Sequence, residues 1–326
     1  MPSTNWKEVV APDEVARHAE AAKGIAEMQR RKSARFGSGR ALHRKGLLVT
    51  TGELEIAPDL PAHARQGLFA LAGRYPLWLR LSNGSVDVQS DRVPDIRGFA
   101  FRVLGLPEQP AALGGRTTHQ DFSLINQVAF AFPTSEHFFG LVLAAGQGPL
   151  ALLKWLFATF GLTGGLRRIK DMKSSFGRPF RGFAAESFTS VLPLAFGTHA
   201  VRWRVRPVNG QPMAVSAGQA VDWAADFTRQ LQQQALRYEL QAQFFEDEAR
   251  TPIEKADQEW LERDAPWLTL AQLTLNPPPA DKRALKQAEA GVYDPWQGLA
   301  AHRPLGEVMR ARKVVYFASQ QGRGAA

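Results

Sequence analysis

The sequence predicts an α+β fold: a body of antiparallel strands with helices inserted into it and appended at its end. Three observations carry this. Two-residue alternation of apolar and polar residues marks strands in the first half of the chain and again near residue 200. Helical composition is confined to the N-terminus, an apolar block, a short stretch after residue 222 and the C-terminus. No strand–helix alternation and no internal repeat runs through the chain, which argues against a doubly wound parallel sheet.

Taken in order, Pro12–Lys32 is polar and Ala-rich and predicts an exposed helix, the main part of an N-terminal arm over 1–34. Leu47–Ile56 is strand material. In Pro76–Ser82, Leu77, Leu79 and Leu81 share one face, with Trp78, Arg80 and Ser82 on the other, and Asn83-Gly84 predicts a turn. Gly98–Leu104 and Phe122–Phe132 follow as strands. An apolar insertion over 137–175 is split at Gly146-Gln147-Gly148-Pro149. Neither half reaches the roughly 20 residues of a bilayer span, so two buried or partly buried helices are expected. The basic run Arg167–Lys173 beside it leaves room for weak membrane or lipid contact through 138–173. In Ala200–Pro207, Val201, Trp203 and Val205 face one way and three arginines the other. Trp223–Arg237 is helical in composition, Tyr238–Phe245 and Trp267–Leu275 are strands, and 306–321 is a closing helix. No linker divides the chain, so 1–326 is expected to form one domain.

Composition narrows the function. Hydrophobic residues make up 44% of the 326 and charged residues 22%, enough apolar material for a sizeable core. The absence of cysteine removes disulfides, zinc-thiolate sites, iron–sulfur clusters and thiolate-ligated haem. The N-terminal residues lack the apolar stretch of a secretory signal, and a cytoplasmic location is expected. The net charge of +9 is spread along the chain, with no nucleic-acid motif, and predicts a solvated basic surface plus buried arginines that hold an anion.

Four constellations stand out: Arg40-Ala-Leu-His43-Arg-Lys-Gly46; Arg80-Leu-Ser82 followed by Asp95-Ile-Arg97-Gly98-Phe-Ala100; Gln120-Asp121-Phe122 leading to Asn126; and Pro295-Trp296, His302-Arg-Pro-Leu-Gly306, then Arg312, Tyr316 and Arg323. Alone, His43 has no better claim than the six other histidines. In this order and spacing, however, the chain resembles the catalase superfamily, from about residue 35 onward. Within it the chain is most similar to the short catalase-related haem peroxidases, which share the Pro-Trp and His-x-Pro-Leu-Gly segments. Two features depart from the pattern: Gln127-Val128 follows Asn126 where the family has x-Pro, and an aromatic pair is split as Phe130 and Phe132.

The resemblance implies a catalase-like antiparallel β-barrel with haem b buried between barrel and C-terminal helix. Tyr316 would be the axial ligand of the iron. A tyrosine ligand of this kind is the one known for catalase. Arg312, one helical turn earlier, would stabilise the phenolate. Arg40, Arg80 and Arg323 would bind the haem propionates, and Phe138 or Phe139 would stack on the macrocycle. His43 would move the proton, Ser82 would fix its tautomer and Asn126 would orient the peroxide. The implied activity is reduction of hydrogen peroxide or organic hydroperoxides through a ferryl intermediate, with a small-molecule electron donor. The alternative is rearrangement of fatty-acid hydroperoxides to allene oxides or epoxy alcohols; a haem-binding protein with decayed activity is a third reading. No nucleic-acid partner is expected, and a homodimer is compatible with the resemblance.

Overall fold

Among the described residues, nine strands form one antiparallel sheet, and eight of them close on themselves. A computed structural model describes residues 1–214 and 221–325, with backbone only over 174–177. The strands of the main sheet are β1 (Gly46–Ile56), β2 (Gly73–Asn83), β3 (Arg97–Val103), β6 (Gln120–Ile125), β7 (Phe188–Thr189), β8 (Leu194–Phe196), β9 (His199–Pro207), β10 (Leu236–Phe244) and β11 (Trp267–Leu275). A small hairpin, β4 (Gln109–Pro110) and β5 (Arg116–Thr117), stands apart. The order is β10-β11-β1-β2-β3-β6-β7-β9, with β9 pairing back to β10 and β8 added on β9. Closure removes the exposed edges of those eight strands.

The alternation seen in the sequence fills the barrel. Leu77, Leu79 and Leu81 of β2 point inside with Phe99 and Phe101 of β3, Phe122 of β6, and Val201, Trp203 and Val205 of β9. Phe101 and Phe122 stack with centroids 4.4 Å apart. The far end of β2 is buried on both faces, since Arg80, Ser82 and Asn83 on or beyond the outer face are as enclosed as the leucines. The outer wall of β2 is therefore a second buried surface, covered by helices and loops.

The helices are α1 (Glu14–Phe36), α2 (Ser135–Gln147), α3 (Pro149–Gly177), α4 (Trp223–Gln233), α5 (Lys282–Ala290) and α6 (Glu307–Gln321). A second core joins α1, α2 and α6 through Ala22, Ile25, Met28, Phe139, Val142, Ala311 and Val315. The α6 N-terminus is clamped by charge. Arg310 donates to Glu8 (2.9 Å), Glu14 (2.7 Å) and Glu254 (3.1 Å), and Glu307 receives His18 Nε2 at 2.9 Å.

Three sequence expectations need correction. The N-terminal helix expected to be exposed buries one side, Ala22, Ile25 and Met28, against α2 and α6. The strand expected over Phe122–Phe132 ends at Ile125, because the Asn126 side chain takes over the next bond of the ladder: its Oδ1 accepts from the Arg97 N–H at 2.7 Å. The apolar insertion is not core throughout. α2 is packed, but α3 lies outside the barrel, and only 11% of its apolar window is buried. Pro149–Lys173 is by length and composition apolar enough to cross a membrane, contrary to the expectation from the split sequence. Gly161, at φ 67° and ψ 179°, is not helical and divides α3 into two helical halves. α5 was not legible as a helix, although Asp281 caps its N-terminus through two N–H bonds and Gly291 follows its end.

Candidate functional site

The site forms where three sequence-distant pieces meet on the outer wall of β2: the turn 40–45, the end of α5 and the helix α6. His43 sits in that turn with φ 51°, a left-handed conformation that side chains rarely adopt. Its backbone is held from both sides. The His43 N–H donates to Gly84 O at 3.0 Å, and Arg80 Nη2 donates to His43 O at 3.0 Å. Strained backbone over-determined in this way is typical of functional positions.

The imidazole Nδ1 shares a hydrogen bond with Ser82 Oγ at 3.0 Å, which leaves Nε2 as the working nitrogen. Gly98 faces Ser82 across the β2–β3 ladder, and a Cβ there would lie 2.6 Å from both His43 Nδ1 and Ser82 Oγ. Only glycine gives the pair room. Burial, with the charges of Arg80, Arg312 and Arg40, pushes His43 down to about 3, so the ring is neutral across the ordinary range. Asn126 follows Ile125, which pairs with Gly98. Its Oδ1 is fixed on Arg97 N–H, so its Nδ2 points away from that bond as a donor.

On α6, Arg312 Nη2 donates to the Tyr316 oxygen at 2.8 Å, and the guanidinium lies 4.8 Å from the ring centroid. The turn that carries His43 packs on the helix that carries Arg312 and Tyr316: Ala41 is buried with Ala311 and Val315, and its N–H donates to Ser319 Oγ at 3.4 Å, so the two couples, His43–Ser82 and Arg312–Tyr316, belong to one site. Phe139 is buried beside them in the helix core that contains Ala311 and Val315. Phe138 packs on Phe130 (4.6 Å) and Phe139 (5.3 Å) at the edge of that core.

The arginines converge. Arg80 donates to the Glu289 carboxylate through Nε (3.0 Å) and Nη2 (2.8 Å). Arg40 Nη2 donates to the carbonyls of Glu289 (2.9 Å) and Gly291 (2.6 Å). Arg323 donates to Ala290 O and, at 3.2 Å, to Gly291 O. Burial and the proximity of Arg80 and Arg323 push Arg40 down to about 9. Three guanidinium groups thus face one carboxylate and the carbonyl end of α5. The uncompensated positive charge calls for further anions.

Sequence reasoning missed Glu289, Tyr293 and Asp294. Glu289 belongs to the unrecognised α5, whose Asp281 and Gly291 punctuation was the available signal. Tyr293 is pushed up to about 12, by burial and then by Asp121. Asp294 joins the site to its frame: its N–H donates to Asp121 (2.9 Å), and its carboxylate accepts from Trp296 N (3.0 Å) and Gln320 Nε2 (2.8 Å). Asp121 in turn holds Arg102 bidentately. The Asp95–Arg97 motif braces the loop below the site: Asp95 accepts from Ser85 N (3.1 Å), and Arg97 donates to Asn83 Oδ1 and to Asp91 O (3.1 Å).

The residues fit haem by the chemistry of the donor set. A tyrosine oxygen facing an arginine, a neutral histidine on the other couple, apolar neighbours from α2 and α6, and three arginines that share a single carboxylate and could take two propionates are the groups that a haem needs.

No family model matches the chain, and no curated protein matches it. Solved structures do. Catalase A from Saccharomyces cerevisiae aligns with a TM-score of 0.68 at 16% identity, over 90% of this chain and 63% of that one. A fungal catalase aligns at 0.69 and 15% identity, over 90% and 60%. A bacterial catalase aligns at 0.68 and 17% identity, over 90% and 59%. The chain spans about 60% of the length of these catalases. With its closed eight-strand antiparallel barrel and covering helices, the chain has a catalase-like fold.

Proposed function

We propose that this chain is a haem-dependent peroxidase of catalase type that reduces hydrogen peroxide or organic hydroperoxides with electrons from a small-molecule donor. The observation that carries the reading is the pairing of His43–Ser82 with Arg312–Tyr316 in one site. Bound haem iron would supply the redox centre at which a peroxide O–O bond is broken. Tyr316 would hold the iron through its oxygen, with the charge of Arg312 2.8 Å away. Arg40, Arg80 and Arg323 would take the propionates, in exchange for part of their bonding to residues 289–291. Phe139 and Phe138 would close the apolar side.

The chain's own chemistry is proton handling. Neutral His43 accepts the proton of the hydroperoxide on Nε2 and returns it to the leaving oxygen, with no net change in its own state. Ser82 keeps the ring in place and fixes which nitrogen is free. Asn126 donates to the peroxide and orients it. His43 in its neutral form is the one competent to start.

The test is haem reconstitution followed by peroxide turnover. Wild type should give a Soret band that shifts or is lost in Tyr316→Phe, and should turn over hydrogen peroxide or a bulky organic hydroperoxide in the presence of a donor. His43→Ala should cost roughly 10²–10⁴-fold in rate with the Soret band retained. A wild-type chain that binds no haem sinks the reading. An isomerised product formed from a lipid hydroperoxide without any donor replaces peroxidase chemistry with rearrangement.

A further inference from the structure

We infer that the outer face of α3 docks on an anionic membrane surface, lying in the plane of the interface rather than crossing it. The orientation of the helix is fixed by its inward side. Leu156 is buried, Trp155 and Phe160 pack with Phe132, and the Arg168 guanidinium lies 5.3 Å from the Phe132 ring and 5.4 Å from the Phe160 ring. What remains points outward. Leu150 and Leu153, one turn apart, are 81% and 40% exposed; beyond the bend, Leu162 and Leu166, again one turn apart, are 71% and 55% exposed. Each half of α3, on either side of Gly161, thus shows a pair of large apolar side chains to water, the kind of exposure that marks an interaction surface.

Charge selects the occupant. Lys154, Arg167, Lys170 and Lys173 lie on the same helix, and Asp171 is its only acidic residue. Apolar side chains flanked by lysine and arginine are the composition of helices that lie among lipid headgroups. The leucines sink to the acyl boundary, and the cations pair with anionic headgroups. A protein partner would need a complementary acidic groove; an anionic bilayer supplies that charge without any specific shape.

Topology decides between lying and crossing. The chain enters α3 from α2, which is packed on α1 and α6, and leaves it toward β7 of the barrel. A single crossing would put those two ends on opposite sides of a hydrocarbon layer about 30 Å thick. Both ends belong to one packed body, so α3 cannot span alone. The inference does not depend on the haem reading.

The experiment is flotation of the full-length protein with vesicles of phosphatidylcholine alone and of an equal mixture of phosphatidylcholine and phosphatidylglycerol. Wild type should float with the mixed vesicles, less with the neutral ones, and less as salt is raised. Leu162→Glu combined with Leu166→Glu should lower binding tenfold or more without changing the thermal unfolding transition, because both sites are exposed. Lys170→Glu with Lys173→Glu should lower binding to the mixed vesicles and leave binding to neutral ones unchanged. No flotation of wild type, or flotation unaffected by the leucine pair, overturns the inference. A concentration-dependent dimer that the leucine pair abolishes, without flotation, also overturns it and assigns the face to a second copy of the chain.

Discussion

His43 holds a left-handed backbone, a bond to Ser82 and three arginine neighbours at once, and each leaves a measurable trace. Its ionisation lies at about 3, against an ordinary histidine value of about 6.5. Lowering the pH through the ordinary range should therefore leave turnover level, and loss should set in only as the pH approaches the value of the buried ring. An acid limb centred near pH ~6.5 would show the ring to be solvated instead. Gly98 is a sharper probe. In Gly98→Ala the new methyl would meet both His43 Nδ1 and Ser82 Oγ at 2.6 Å. We expect turnover to drop by roughly 10²-fold while haem binding persists, as read by rate and Soret band together. A turnover equal to wild type would mean that the His43–Ser82 bond does not set the proton step. The residues of this couple were legible in the sequence, since a motif fixes identity and spacing. The left-handed turn was not, because nothing in Leu-His-Arg announces a positive φ.

At the scale of elements, α6 is the piece on which most depends, and its first turn carries its own acid sensor. Burial raises the Glu307 carboxyl, but bonds from His18 and from Ser135 outweigh it and hold the group at about 2, below its usual 4.5. The sign follows from linkage: a depressed carboxylate contributes stability above its unfolded value and loses it as pH falls through its folded one. That contribution should disappear between pH 4.5 and about pH 2. Glu307→Gln should lower the unfolding temperature near neutrality and flatten its dependence on pH in that acid window. An unchanged acid profile in the variant would place the stabilisation elsewhere. Elements were unevenly readable. The β2 strand announced itself through Leu77, Leu79 and Leu81, because a face inside a barrel must alternate. α3 misled, because leucine-rich helices have one composition whether they face a core or a lipid surface; only the packing of Arg168 and Trp155 shows which side is inward. α5 stayed hidden because it is short and mostly polar and none of its residues is buried, so its slight apolar side, Ala284, Leu285 and Ala288, did not stand out.

For the whole molecule, the barrel and the site occupy opposite faces of the same wall. Phe122 looks inward and Ser82 outward. Damage to the two should therefore be separable. Phe122→Ala removes a ring stacked on Phe101 and should cost about 3–5 kcal/mol of stability in chemical denaturation, with the Soret band of the surviving protein intact. Tyr316→Phe should leave the stability of the haem-free chain within about 0.5 kcal/mol while changing the Soret band. Coincident losses in both variants would contradict the two-faced wall. The general architecture could be anticipated from strand count and order, but not the sharing of one buried wall by two functions, which depends on how far β2 is covered from outside.

The clamp on α6 has a consequence in time. Arg310 reaches Glu8 across 302 positions of sequence, and Glu14 across 296. During synthesis the arm emerges early and waits, while the helix that carries Tyr316 is made hundreds of residues later. The clamp between arm and helix therefore closes only after both have left the ribosome. If Tyr316 holds haem as proposed, haem supplied before that moment would find His43 and the first arginines but no tyrosine for its iron, so loading would have to follow the emergence of α6.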